Sequence, residues 1–262
     1  MQARCTLARR LSSLHNKSAF EQSRSRAFTL VEFLVVISVV VILTSMLMPA
    51  LSQARRAGAR LHCMNNMRQI GAGLITYADD WNNRLPPSSY VPMSAPRIGE
   101  MMCLTTAVLN GEAKPDGLGI LLSRMGGYVS DERCLFCASH HGQHDYERYI
   151  PDFAHPAFTQ RVFSNYQYRG DMDFTDIARP RRRSDPLSSR AILLADGFRS
   201  RTDFNHRTGS NRLKGDGSVD WWADAGEYVV HNAPNLTDDS TPQPLLELYL
   251  TMWARIDKLP QD

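Results

Sequence analysis

The chain concentrates its potential metal ligands in one short segment. Cys134 and Cys137 form a Cys-x2-Cys pair, and His140, His141 and His144 follow within seven positions. Thiolate and imidazole groups at this spacing are typical of tetrahedral zinc sites. The segment therefore predicts a zinc site whose ligands are Cys134, Cys137, His141 (or His140) and His144.

A disulfide or another structural role is the alternative for these cysteines, and an extracytoplasmic location favours it over zinc. The sequence has five cysteines, and the other three are Cys5, Cys63 and Cys103. Thiols outside the cytoplasm tend to pair as disulfides. Redox catalysis is not expected, because no thioredoxin-like strand and helix frame the Cys-x2-Cys pair.

A second set of donor groups lies near the C-terminal end of the chain. Asp216, Ser218 and Asp220 alternate as oxygen donors around an Asp-Gly turn, and His206 precedes them. Oxygen donors of this kind bind Ca²⁺, so the four residues are a candidate calcium site, which Asp196 or Asp203 could complete. Asp-Gly also forms a hairpin turn without any metal, and a lone histidine is more often a hydrogen-bonding group of the fold. No cofactor is certain, and calcium and zinc are the two candidates.

Enzyme signatures are missing from the sequence. It has no G-x-S-x-G, P-loop, H-E-x-x-H or nucleotide-binding glycine run. With 43% hydrophobic and 22% charged residues, the composition is that of a globular protein and excludes a largely disordered chain. We therefore expect a protein that is not an enzyme.

Positive charge is confined to the N-terminal arm. The net charge is +3, but residues 1–27 contain six basic residues and one acidic residue, which leaves the rest of the chain at −2. A nucleic-acid-binding domain would carry its basic patch on the folded body. We therefore expect no nucleic-acid partner.

A long apolar segment follows this arm. Residues 33–51 contain no charge, and with Phe28, Leu30 and Val31 they reach about 20 residues, enough to cross a bilayer as a helix. This run is longer than that of a cleaved secretory signal. Pro49 lies inside it and should kink or locally melt the helix.

Helical spacing of apolar residues continues beyond this segment to about Asp80, before Pro86 and Pro87. One helix should therefore be apolar on all sides in its first half and amphipathic in its second half. The residues expected on the buried face are Leu51, Ala54, Gly58, Leu61, Met64, Met67, Gly71, Leu74, Ile75 and Ala78.

The residues from Ala27 to Glu32, AFTLVE, between a basic leader and this helix, resemble the type IV prepilin signature shared by type IV pilins and type II secretion pseudopilins. The resemblance implies that a prepilin peptidase cuts between Ala27 and Phe28 and methylates the new Phe28 amine. It also implies that Glu32 pairs with the Phe28 amine of a neighbouring subunit and fixes the axial register, and that the helix loosens at Pro49 during assembly. The family usually has glycine where Ala27 stands, and its leader is usually shorter.

The C-terminal half carries a second resemblance. His206, nine intervening residues and Asp216-Gly217, with the sequences NYQY and AILLADG before them, are similar to a bacterial group of prepilin-like proteins that end in an H-x9-DG motif. Members of that group have no assigned enzymatic activity. The group has apolar residues before the aspartate, whereas this chain has Lys214 and Gly215.

The body is expected to be a small α+β domain with an antiparallel sheet packed on the long helix, as in pilins. Short helices are predicted at 104–109, 119–125 and 245–253, and strands at 162–168, 191–195, 212–214 and 218–222. The predicted divisions are a leader (1–27), a transmembrane helix (28–51), its amphipathic extension (52–82) and an extracytoplasmic body (83–262).

Two functional hypotheses follow. The first is a structural subunit of a type II secretion pseudopilus or type IV pilus-like fibre, anchored once in the inner membrane with its N-terminus cytoplasmic and its body periplasmic. Its partners would be the prepilin peptidase, other pilin or pseudopilin subunits and the secretion machinery. The alternative is an extracytoplasmic metal- or ligand-binding domain, hydrolytic or not, that uses a prepilin-type anchor.

Overall fold

The computed structural model describes residues 29–88, 102–106, 108–122, 127–155, 157–170, 191–233 and 246–257. It divides into two units, Met1–Pro49 and Ala50–Asp262. The leader and the predicted cleavage site between Ala27 and Phe28 lie outside the described residues. The helices are α1 (Leu30–Asp80), α2 (Tyr146–Ala154), α3 (Tyr228–Asn232) and α4 (Leu246–Asp257), and the strands are β1 (Tyr166–Tyr168), β2 (Ile192–Asp196), β3 (Gly209–Lys214) and β4 (Val219–Ala223).

Helix α1 is one element of 51 residues, as predicted from its periodicity. It ends where Asn82 and Asn83 take left-handed backbone conformations, with φ of 52° and 65°. Asparagine tolerates this conformation better than most residues, and it is a common way to stop a helix. Pro49 lies within the helical run, so the local melting is absent from the single chain, whereas the kink, the other expected effect of Pro49, stays a prediction. A proline removes one helical hydrogen bond, and the turns on either side keep theirs.

The first part of α1 is apolar on all sides, as expected. Side chains from Leu30 to Leu51 are exposed, and the segment is long and apolar enough to cross a membrane, with a mean hydropathy of 2.7 over 18 residues. Apolar surface of this extent is rare on a soluble monomer and needs lipid or protein to cover it.

The second part of α1 supplies the buried face on which the body is built. The face predicted from periodicity is partly right, because Met67, Leu74 and Ala78 are buried, but Leu51 and Leu61 are 47% and 58% exposed. Burial begins only at Cys63, where the body starts to cover the helix. The buried residues of α1 are Cys63, Asn66, Met67, Ile70, Gly71, Gly73, Leu74, Tyr77 and Ala78.

The four strands form an antiparallel sheet in the order β1-β2-β3-β4. The predicted hairpin around Asp216-Gly217 is confirmed, since β3 and β4 pair from Gly209 opposite Ala223 to Leu213 opposite Val219. Helix α1 approaches β3 closely at Gly71, where an added Cβ would lie 2.8 Å from Leu213 Cδ1.

Strand β2 is buried along its whole length because separate hydrophobic clusters form around it. Leu194 belongs to the cluster that also contains residues of α1, such as Leu74. Ile192 belongs to a second cluster with Trp253 of α4. The terminal helix expected at 245–253 is present as α4.

Two predicted elements differ from the structure. Residues 104–106, 108 and 109, the described part of the first predicted helix, are not helical, because Thr105 and Leu109 form isolated bridges with Pro115 and Glu112. A 3₁₀ helix at Gly117–Leu121 covers the start of the helix expected at 119–125, whose last three positions lie outside the described residues. Helix α2 was not predicted; it contains Pro151 and is capped by Asp145, whose side chain accepts a hydrogen bond from Arg148 N.

A disulfide between Cys63 and Cys137 ties α1 to the loop after the 3₁₀ helix Glu132–Leu135. The Cα atoms are 5.3 Å apart, and the paired residues are separated by 74 positions. Disulfide formation is therefore confirmed for Cys137, with a partner outside the Cys-x2-Cys pair. Cys103 and Cys134 lie outside any disulfide and are buried.

We expect reduction of this disulfide to lower the free energy of unfolding by about 4 kcal/mol, because the bond restricts a loop of 74 residues in the unfolded chain. The measurement is chemical denaturation of the full chain in detergent micelles with a metal chelator, with and without a phosphine reductant. Cys134→Ala is the control and should keep the effect of the reductant, whereas Cys63→Ser should abolish it. A denaturation midpoint of the wild type that is the same with and without the reductant would contradict the prediction.

Candidate functional sites

The first candidate site is the start of α1, where Thr29 and Glu32 are hydrogen-bonded to each other. The Glu32 carboxylate accepts hydrogen bonds from Thr29 N and Thr29 Oγ1, both at 2.8 Å. In return, Glu32 N donates to Thr29 Oγ1 at 3.2 Å. This reciprocal arrangement is a capping box, which satisfies backbone groups at a helix N-terminus. In the single chain, therefore, Glu32 is hydrogen-bonded within its own first helical turn.

The few polar side chains in the rest of the apolar segment form hydrogen bonds within α1. The hydroxyls of Ser38, Thr44 and Ser45 donate to backbone carbonyls three or four residues earlier in α1, at 2.7–3.0 Å. Hydroxyls satisfied in this way can enter an apolar environment at low cost. Glu32 is thus the only charged residue between Thr29 and Ala54, on a surface otherwise suited to lipid or to other helices.

The second candidate site lies in the body, where four metal-ligating side chains meet. One ligand atom each of Cys63, Cys137, Asp196 and His206 lies within 4.8 Å of the others. They come from α1, the loop after Glu132–Leu135, the end of β2 and the loop before β3. We call these four residues the Cys-His-Asp cluster, and it is the one such group found among the described residues.

Burial sets the charge state of this cluster. Asp196 is fully buried, and burial raises the pKa of its carboxyl group to about 7. Its oxygens accept hydrogen bonds from Asn211 N at 2.5 Å and Asn205 Nδ2 at 3.5 Å. Burial, with the nearby charge of Arg60, lowers the pKa of His206 to about 4. The imidazole is therefore neutral at neutral pH and able to act as a ligand.

The backbone around His206 explains how its side chain is placed. Arg207 takes a left-handed conformation with φ of 58°, and Thr208 N donates to His206 O at 2.7 Å. The chain then enters β3 at Gly209, where an added Cβ would lie 2.2 Å from Trp222 O. Only glycine fits so close to the neighbouring strand, so this turn fixes the direction in which the chain leaves His206.

An open cleft of about 870 Å³ reaches the cluster through His206. Its lining is basic, because it contains three arginines and, among its described residues, a single carboxylate, Glu227. The guanidinium of Arg60 lies 3.9 Å from the centre of the Trp221 ring, in cation–π contact. The main polar and aromatic lining residues are Arg56, Arg60, His141, His206, Arg207 and Trp221.

The predicted zinc ligands Cys134, Cys137, His141 and His144 are not brought together in the described structure. Cys137 is in the disulfide, and Cys134 is buried, which raises the pKa of its thiol to about 12. His141 lies in the cleft lining. The alternative ligand His140 makes a hydrogen bond through Nδ1 to Asn205 Oδ1 at 2.9 Å.

Both ring nitrogens of His144 are used within the fold. Arg199 Nη1 donates to Nε2 at 3.0 Å, so Nδ1 carries the proton and donates to Tyr149 Oη at 2.6 Å. Burial, reinforced by the Arg199 charge, lowers the pKa of His144 to about 2. His144 is therefore a neutral core residue, and its spacing from the cysteines was misleading.

The side chains of the predicted calcium ligands are engaged in other interactions. Asp216 Oδ1 accepts from Ser218 N at 2.8 Å and so stabilises the hairpin turn. Asp220 faces Arg212, which donates to its two oxygens at 2.8 and 2.7 Å. Burial alone would raise the pKa of Asp220, but the bonds from Arg212 and Lys214 hold it below its ordinary value. His206 belongs instead to the Cys-His-Asp cluster.

Sequence reasoning missed Cys63 as a partner in this cluster. Cys63 begins the buried face of α1, but the apolar periodicity placed its neighbours Leu61 and Met64 on that face instead. Asp196 directly follows the apolar run AILLA, which was the available signal that a carboxylate would end a buried strand.

Comparison with known families bears on the N-terminal part of the chain. Residues 22–48 match the family described as a prokaryotic N-terminal methylation motif. Residues 52–97 match a family described as a protein of unknown function (DUF1559). The first match spans Ala27, Phe28 and Glu32, and it confirms the N-terminal resemblance; neither match reaches the H-x9-DG segment. No curated protein and no solved structure matches the chain.

We expect the free energy of unfolding to fall as the pH drops below about 6.5, because the pKa of His144 is lower in the folded chain than in the unfolded chain. In the unfolded chain His144 gains a proton near that pH, whereas in the folded chain it does not until about pH 2. The free energy of unfolding should therefore fall by about 1.4 kcal/mol per pH unit across this window. The measurement is denaturation of the full chain in detergent between pH 7 and 4.

His144→Gln should remove this part of the slope, while His155→Gln, at an exposed position, should leave it unchanged. Parallel pH profiles for wild type and His144→Gln would show that His144 is protonated in the folded protein, contrary to the prediction.

Proposed function

Because the chain is a prepilin-like protein by its N-terminal methylation segment, we propose that it is a structural subunit of a type II secretion pseudopilus or a type IV pilus-like fibre. After cleavage before Phe28 and methylation of that residue by a prepilin peptidase, α1 would pack with the same helix of neighbouring subunits. The body would contact secretion partners and would not act as an enzyme.

The observation that carries the proposal is the position of Glu32. The large apolar side chains of α1 from Leu30 to Leu51 are exposed, and Glu32 is the only charge among them. A carboxylate held deep in an apolar environment costs on the order of 3 kcal/mol. Such a group is tolerated where a positive charge meets it, and a fibre of processed subunits offers the amine of Phe28 at each step.

The capping box gives the unassembled subunit a way to keep the same carboxylate satisfied. Thr29 supplies two hydrogen bonds to Glu32 within one chain. In an assembly these are exchanged for the amine of a neighbour, whose charge makes the new bond stronger than a neutral one. Because only one axial position brings the two groups together, the exchange fixes the register of the helices.

The proposed location follows from charge and from the disulfide. Residues 1–27 carry six basic residues, which favours a cytoplasmic N-terminus, although Arg55, Arg56, Arg60 and Arg68 after the apolar segment reduce this bias. The Cys63–Cys137 disulfide is in keeping with a body in an oxidising compartment. A single-pass inner-membrane subunit with a periplasmic body accounts for both features.

Processing predicts a defined N-terminus for the native protein. Mass spectrometry of protein isolated from its host membrane should find a chain that begins with N-methylated Phe28. Coexpression with and without a prepilin peptidase provides the control, since only the first should yield the shorter chain. A native chain that keeps residues 1–27 would contradict the proposal and favour a ligand-binding domain on an uncleaved anchor.

Substitution of Glu32 separates its charge from its role in the helix cap. Glutamine at this position can still complete a capping box, whereas alanine cannot. We expect Glu32→Gln and Glu32→Ala both to insert into membranes and both to lose incorporation into sheared fibres by at least tenfold, because neither carries a charge for the Phe28 amine.

Thr29→Val is the matched control, since it removes the two hydrogen bonds of the Thr29 hydroxyl but keeps the backbone donor of residue 29 and the charge of Glu32. It should assemble much better than either Glu32 variant. Normal assembly of Glu32→Gln would show that the cap, rather than the charge, is what assembly requires, and would refute the register argument.

A further inference from the structure

We propose that Cys63, Cys137, His206 and Asp196 bind a zinc ion when the disulfide between the two cysteines is reduced. The disulfide and the metal would then be alternative crosslinks of one cluster, each joining α1 to the loop after Glu132–Leu135. This inference concerns the body and does not depend on the assembly of fibres.

The arrangement of the ligand atoms fits a tetrahedral site. His206 Nε2 lies 3.7 Å from Cys137 Sγ and 3.5 Å from an Asp196 carboxylate oxygen, Oδ2. Zinc bonds of about 2.0 Å to nitrogen or oxygen and about 2.3 Å to sulfur place ligand atoms about 3.3 to 3.8 Å apart. Reduction lets the two sulfurs separate to the same range, while all four ligand atoms already lie within 4.8 Å of one another.

The groups around the ligands also suit a metal site. Asp196 Oδ2 accepts a hydrogen bond from Asn211 N, which orients the carboxylate. The amide of Asn211 is buried beside the cluster, with its Nδ2 3.2 Å from His206 Nε2 and its Oδ1 without a hydrogen-bond partner. Buried polar atoms normally have a hydrogen-bond partner. The unsatisfied Asn211 Oδ1 beside four potential ligands therefore indicates that another polar or charged group can bind there.

The net charge of the zinc complex and an open path from solvent are both compatible with a metal at this position. A zinc ion with two thiolates and one carboxylate has a net charge of −1, and Arg60 lies close enough to interact with the charge of Asp196. His206 lines the open cleft of about 870 Å³, so an ion can reach the cluster from solvent without unfolding of the body. Metal sites need such an entry path.

The exchange between the two states balances in electrons and protons. A dithiol reductant breaks the S–S bond, delivers two electrons and two protons to Cys63 and Cys137, and is itself oxidised to a disulfide. Binding of Zn²⁺ then displaces one proton from each thiol. Oxidation of the two thiolates by a disulfide of an oxidoreductase releases the ion and restores the crosslink.

The Cys-x2-Cys pair provides a matched control. Cys134 is close to Cys137 in sequence and is buried, but it is not one of the four residues of the cluster. If Cys134 and Cys137 were the zinc pair, as the sequence suggested, Cys134→Ala would abolish binding. If the Cys-His-Asp cluster is the site, Cys134→Ala binds normally and Cys63→Ser does not.

The test uses the full chain in detergent micelles, reduced with a phosphine and supplied with zinc or cobalt(II). After gel filtration, elemental analysis should find one zinc per reduced chain and none per oxidised chain. Cobalt should give the strong visible absorption of a tetrahedral thiolate site. Cys63→Ser and His206→Ala should weaken binding by at least 100-fold, whereas Cys134→Ala and His141→Ala should match wild type.

Alkylation of the wild type tests the same claim without any variant that could fail to fold. Zinc should protect Cys63 and Cys137 of the reduced protein from iodoacetamide, as read by peptide mass spectrometry, and a chelator should remove the protection. The proposal is overturned if the reduced wild type holds no stoichiometric zinc, or if zinc leaves the alkylation of these two cysteines unchanged.

Discussion

The structure depends on how the apolar side chains of α1 are kept away from water. Between residues 63 and 78 the body covers them, because side chains such as Met67 and Leu74 pack in its main hydrophobic cluster. Between residues 30 and 51 the large apolar side chains of the same helix are exposed. Water cannot be the final environment of that surface, since the hydrophobic effect favours its transfer to lipid or to other helices. The proposed fibre subunit is the role that uses both halves of the helix.

Two buried charged residues of the body, Arg212 and Asp196, have different kinds of hydrogen-bond partners. Arg212 is fully buried and binds both oxygens of Asp220 and the Ile256 carbonyl, so its charge and its donors are matched within the fold. Asp196 is also fully buried, but it accepts hydrogen bonds from neutral amides, and the pKa of its carboxyl group rises to about 7. The first arrangement is complete as a structural ion pair. The second leaves a carboxylate, a neutral imidazole and two sulfurs in contact, which is why we assign further chemistry to that place.

The sequence was most informative where local patterns decide the structure. The continuous helix to Asp80 and the hairpin at Asp216-Gly217 follow from periodicity and turn chemistry, and both are present. The clusters could not be predicted in the same way, because their residues meet only through the tertiary fold. His144 follows the cysteines closely in sequence, yet its ring nitrogens are hydrogen-bonded to Tyr149 and Arg199. The residue that bonds to Cys137 is Cys63, which lies 74 positions earlier in the chain. Spacing along a chain predicts a metal site only when the ligands share one local element.

The position of the disulfide has a mechanical consequence. In the filament proposed above, a subunit held by its N-terminal helix would transmit any pulling force along α1 towards its body. The first covalent link between that helix and a distant part of the chain is at Cys63, at the start of the buried face. Tension would therefore pass through the disulfide into the loop at Cys137. The packed residues from Asn66 to Ala78 would then not be pulled away from the rest of the body. A reduced chain would meet the same load with non-covalent contacts alone and should extend at lower force.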